Sequence, residues 1–82
     1  MTTFVVESSS RWDALALAGR LVGYRWYMIE PDASHWDVCV LVEQRSGELP
    51  EDLRQRIEAW LRERRLGRTI IHADARDYAV SS

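Results

Sequence analysis

Two histidine–aspartate pairs stand at the same spacing in this chain, His35 with Asp37 and His72 with Asp74, and they are the first place to look for chemistry. Residues two apart on a strand share a face. Each pair could therefore form a carboxylate-oriented imidazole, the arrangement of a general base or of half a metal site. A strand-end histidine beside a turn, with an aspartate on the solvated face, gives the same spacing without function. A metal site would need the two strand ends to converge, so no catalytic residue, metal or cofactor is expected. A small enzyme using His35 or His72 stays as the second alternative.

The other reactive side chains are bland. Cys39 is the single cysteine and sits in the apolar run Asp37-Val38-Cys39-Val40-Leu41-Val42, where a thiol behaves as a small buried hydrophobe. Ser8, Ser9 and Ser10 offer N-cap oxygens, and the absence of glycine around them argues against a phosphate loop. There is no nucleophile elbow, no zincin helix and no paired cysteine.

Aromatic residues carry more information. Tyr24, Trp26, Tyr27 and Trp36 fall on two apolar runs separated by Pro31-Asp32-Ala33-Ser34, which reads as a hairpin from Tyr24 to Glu43. In period-two order Tyr24, Trp26 and Met28 share one face and Arg25, Tyr27 and Ile29 the other. Trp36, Val38, Val40 and Val42 alternate in the same way with Asp37, Cys39, Leu41 and Glu43. Both faces of the hairpin thus bear large apolar groups.

Around the hairpin, Thr3–Glu7 reads as a strand, followed by a helix capped by Ser10 with Asp13 three residues on. Its inward stripe is expected to be Trp12, Leu15, Ala16, Gly19 and Val22, with Leu17 and Leu21 beside it. A second helix begins near Pro50, with Glu51 and Asp52 at its positive end and Leu53, Ile57, Trp60 and Leu61 as its buried stripe. Arginines 62, 64 and 65 suit its C-terminal end, and Gly67 ends it. Thr69–Ala73 is the closing strand, extended through Tyr78–Val80, with residues 81–82 frayed.

This order predicts one α+β domain over residues 1–80: a ferredoxin-like split βαβ sandwich, β-α-β-β-α-β, with a four-stranded antiparallel sheet and two helices on one face. The layout resembles ferredoxin-like modules such as ACT-type regulatory domains, acylphosphatases and dimeric α/β-barrel monooxygenases over nearly the whole chain. An acylphosphatase carries a Gly-rich, Arg-bearing loop after its first strand, where this chain has Glu7-Ser8-Ser9-Ser10-Arg11. An ACT domain usually has a glycine at that turn, and none is present. No family residue is carried over.

Eighty-two residues hold one modest core, and 46% apolar content with four Trp points to a packed globule. All eleven basic residues are Arg, yet the net charge is −2, so nucleic acid is disfavoured as a partner. The sheet aromatics would suit RNA stacking, but Val38–Val42 lacks the alternating Gly and Phe of an RNA-reading strand. The helix arginines interleave with Glu51, Glu58 and Glu63, the pattern of an ion-paired, solvated face. No apolar run approaches a membrane span and the first residues lack a basic leader, so a cytoplasmic protein is expected.

Two helices cover only one face of such a sheet. The functional expectation is accordingly a non-enzymatic interaction module that binds itself or another protein through its apolar sheet face or an edge strand. The alternative is a small-molecule sensor with a pocket between sheet and helix or at a dimer seam. Candidate binding residues are Trp26, Tyr27, Trp36, His35 and His72.

Overall fold

The first strand shows how the chain chooses its inside. Thr2, Phe4, Val6 and Ser8 are buried, Thr3 and Val5 are half-buried, and Glu7 is exposed, as expected of a strand with one covered face. The computed structural model describes residues 1–82 as β1 (Thr2–Ser8), α1 (Arg11–Ala18), β2 (Arg25–Asp32), β3 (His35–Val42), α2 (Glu51–Arg64), β4 (Arg68–Ala73) and β5 (Arg76–Ser81). The strands form one antiparallel sheet in the order β2-β3-β1-β4-β5.

The four-stranded ferredoxin-like expectation is therefore corrected to a five-stranded α+β sheet. Residues 76–81 do not prolong β4. They reverse at Asp74-Ala75, where Asp74 takes a positive φ of 21°, and pair back from Ala73↔Arg76 to Arg68↔Ser81. Burial drives the reversal: it brings Val80, 1% exposed, onto the covered face opposite Thr69 and places Tyr78 opposite Ile71. The Tyr78 hydroxyl then donates to the Gly47 carbonyl at 2.9 Å. Beyond β5, the Ser82 amide donates to the Gly67 carbonyl at 2.9 Å.

Both helices pack on the face of Phe4, Val6, Val38, Val40, Ile71 and Val80. In α2 the buried residues are Leu53, Ile57, Trp60 and Leu61, the stripe read from the sequence. Arg65 closes that helix in the left-handed conformation, and Gly67, at φ 78°, turns the chain into β4 where a β-carbon would be strained. In α1 the Ser10 hydroxyl accepts from the Asp13 amide at 3.1 Å, as its sequence suggests.

The buried stripe of α1 differs from the expected one. Ala14, Leu17, Ala18 and Leu21 face the core, while Trp12 is 70% and Val22 79% exposed. Nearly every position of α1 is apolar, so periodicity leaves its phase open and size decides. Ala14 and Ala18 let the helix axis approach the sheet closely, and Trp12 on that side would hold it away.

Polar side chains lock the helices together. Arg56 donates to the Arg20 and Val22 carbonyls at 2.9 and 2.8 Å, Arg64 reaches Asp13 at 2.6 Å, and the Trp60 indole donates to the Asp13 carbonyl at 2.8 Å. Arg56 thus clamps the loop after α1, and Arg64 ties α2 to α1 itself. No helix is long and apolar enough to cross a membrane.

Candidate functional site

The uncovered face of the sheet is built from the odd-numbered residues of β1, β2 and β3, as the pairing register shows. One cross-strand row runs Tyr27, Cys39, Val5, His72, Asp77 through all five strands, and Arg25↔Leu41↔Thr3 and Ile29↔Asp37↔Glu7 flank it. The row changes character along its length. It is apolar on the β2 side, where Tyr27 is 47% exposed and Ile29 of the flanking row 44%, and charged on the β4–β5 side.

At the charged end His72 bridges three strands. Its Nδ1 lies 2.8 Å from Asp77 Oδ1 and its Nε2 meets Glu7 Oε2, joining β4 to β5 and to β1, and both nitrogens donate when the ring is protonated. These two carboxylates, Glu7 first, hold the His72 pKa above the ordinary imidazole value. The sequence pairing of His72 with Asp74 is replaced by Asp77, because a two-residue turn at Asp74-Ala75 sets residues 72 and 77 opposite each other. That offset of five was the signal available in the sequence.

The other pair shares a strand face, as its spacing implied, but makes no hydrogen bond, and Asp37 Oδ1 is buried without a partner. His35 Nε2 lies 3.5 Å from Asp37 Oδ1, and its Nδ1 lies 3.3 Å from Asp32 Oδ1. Burial pushes the Asp37 carboxyl above its usual range, with the facing charges of His35, Glu7, His72 and Asp32 acting on it in both directions. Cys39 is 2% exposed, and burial raises its thiol too, which keeps it protonated and unreactive at neutral pH.

The raised His72 pKa has a pH consequence. A group whose pKa rises on folding contributes its stability fully below the unfolded value, near 6.5, and loses it as pH climbs through the folded value. Because the His72 side chain is 43% exposed, solvent screening holds the contribution to a few tenths up to about 1 kcal/mol. Thermal melts should show that the wild-type advantage over His72→Gln, clear at pH 6, shrinks above pH 8. An advantage that grows with pH would contradict the bridge.

The five sequence candidates are divided by the sheet. Tyr27, His35 and His72 belong to the uncovered face, whereas Trp26 and Trp36 belong to the helix side, opposite Val40 and Ser8. Trp36 packs against the core, but Trp26 on edge strand β2 remains 42% exposed. Tyr27 and His72 share a row with Cys39 and Val5 between them, so they do not converge on one point.

Two open clefts lie at opposite ends of the strands. The first, about 310 Å³, is bordered by Ser9, Ser34, His35, Trp60 and Arg68; the second, about 420 Å³, by Thr2, Gln44, Asp74 and Arg76. Of the five candidates only His35 borders either cleft.

What sequence reasoning missed is the weight of β2 as a whole. Seven of its eight residues are exposed, with only Met28 half-buried, and it pairs with β3 alone. Ile29 belongs with Trp26 and Tyr27 in that exposed set, and the alternation that located it was visible in the hairpin. Comparison with known proteins found no matching family model, no matching curated protein and no matching solved structure.

Proposed function

We propose that this chain is a non-enzymatic association module that binds protein, first of all a second copy of itself, through the β2 side of its sheet. One observation carries the reading: an eight-residue edge strand displays Trp26, Tyr27 and Ile29 to solvent at 42–47% exposure with its outer row of backbone amides and carbonyls unpaired. Soluble proteins ordinarily blunt such an edge with lysines, proline, bulges, short strands or cover. In β2 the proline and the irregularity fall at its far end, Pro31 and the step from Ile29 to Asp32, so Arg25–Ile29 stays a regular edge without lysine.

The reading is supported over a small-molecule sensor by the division of the candidate aromatics between two faces. It is supported over an enzyme by the separation of the histidines: His35 opens β3 and His72 lies on β4, with β1 between those strands, so the two rings do not converge on one point. A cytoplasmic setting completes the proposal and accords with a lone, buried thiol.

Sedimentation equilibrium tests it. The apparent mass is expected to rise with concentration from the 9.6 kDa chain toward twice that value. A mass that stays at one chain throughout the high-micromolar range would sink self-association.

A further inference from the structure

We infer that two copies join β2 to β2 in antiparallel register about a two-fold axis through Tyr27, making one continuous ten-stranded sheet. This rests on the association reading above and names both its occupant and its geometry.

The symmetry follows from strand geometry. Antiparallel strands of one sheet are related by a two-fold axis perpendicular to it, so opposed residues point to the same face and their numbers sum to an even value. Three registers use the centre of β2. With the axis at Trp26, only Arg25–Tyr27 of the strand would pair, because Met28 would fall opposite Tyr24, outside β2. With the axis at Met28, Arg25 would oppose Pro31, and pairing would run through the irregularity between Ile29 and Asp32. Proline donates no hydrogen bond there. With the axis at Tyr27, every pair lies in the regular segment: Tyr27 faces Tyr27, Arg25 faces Ile29, and Trp26 faces Met28 of the other copy.

Charge agrees with that register. The irregularity returns Asp32 to the uncovered face, opposite His35, one same-face step beyond Ile29. In the Tyr27-centred pair Asp32 therefore stands diagonal to Arg25 of the other copy, within reach of its long side chain. Arg25 is exposed and has no ion-pair partner in its own chain. Two symmetric pairs would close the ends of the seam, with Trp26 and Met28 packing on the helix side and Tyr27 on the other.

The opposite edge is poorer. β5 has six residues, carries Arg76 and Asp77, and turns Val80 into the core. The pairing on β2 is also modest in size. A standard interface buries about 800 Å² on each partner, about a sixth of the 5077 Å² surface of this chain, and one strand edge supplies less. A reversible dimer of micromolar strength is the expected consequence.

The experiment combines mass and cross-linking on the full chain. Tyr27→Lys with Ile29→Lys sets like charges across the axis at exposed positions and should hold the protein at one chain mass, with its circular dichroism unchanged and its melting equal to that of the wild type in dilute, monomeric solution. Leu15→Lys on the exposed side of α1, with Val22→Lys in the loop that follows it, should leave the wild-type mass profile intact. In a Cys39→Ala background, Tyr27→Cys should form a dimeric disulfide with oxidised glutathione at least tenfold faster than Met28→Cys. A dimer that survives the β2 lysines, a dimer lost through the α1 lysines, or faster cross-linking at position 28 each overturns this geometry while leaving association standing. A monomeric wild type overturns both.

Discussion

Replacing Trp60 by alanine is expected to cost about 3–5 kcal/mol, the range for truncating a fully buried aromatic. Trp60 is 1% exposed and heads the set of large buried side chains. It lies where α2 faces α1, and its indole ties the two helices through the Asp13 carbonyl at 2.8 Å. Native domains have about 5–15 kcal/mol in total, so a large share of the stability is at stake. With roughly 4–8 °C per kcal/mol, the melting temperature should fall by more than about 12 °C, read by circular dichroism. Trp60→Phe keeps much of the bulk and loses the indole hydrogen bond, so it should cost less. Trp12→Ala is the contrast: at 70% exposure it should move stability by no more than about 0.5 kcal/mol. Equal losses at the two tryptophans would contradict the helix phases described above.

Ending the chain at Ala73 is expected to prevent folding altogether. The truncation removes the whole β4–β5 ladder, the Tyr78 hydroxyl bond to Gly47 and the buried Val80. It uncovers β4 as a new edge and leaves the part of α2 that packs on β5 facing water. Burial of Val80 alone is worth about 1.5–3 kcal/mol, and the rest of the ladder adds to it. A milder version, Val80→Ala, should cost about 2 kcal/mol with the fold retained. A truncated chain that still melts cooperatively would mean that four strands suffice.

The legible parts of this fold are those where periodicity and chemistry agree. The stripe Leu53, Ile57, Trp60, Leu61 stands alone among polar residues, so only one phase of α2 buries it. The hairpin faces were readable because Arg25–Ile29 and Asp37–Leu41 pair in one unbroken register, the irregularity being confined to the turn end, where the Asp32 carboxylate accepts from the Ser34 amide at 2.7 Å. In α1 the apolar arc is too wide to fix a phase, and close packing of Ala14 and Ala18 chose it instead. The fifth strand was missed because Asp74-Ala75 lacks the glycine that usually marks a tight hairpin, though Tyr78 and Val80 already alternated with polar neighbours.

The candidate site divides along the same line. His35 and Asp37 are neighbours on one strand, so local spacing was enough to join them. His72 is tied to Glu7, 65 positions away, and to Asp77 across the missed turn. Contacts of that kind depend on strand order and register, which one sequence does not specify. Exposure of β2 is likewise a property of the assembled sheet: Trp26, on the helix side opposite Val40, would be an ordinary core residue had the strand stood one place inward.

Hydrogen exchange at two protein concentrations tests the pairing of β2 most directly, because it reads the backbone amides that the seam would occupy. At concentrations where the mass has doubled, the amides of Arg25–Ile29 that point away from β3 should exchange markedly more slowly than in dilute protein. The outward amides of β5 should exchange at the same rate in both. Exchange in β2 that is fast and independent of concentration, or protection that develops on β5 instead, would contradict the account.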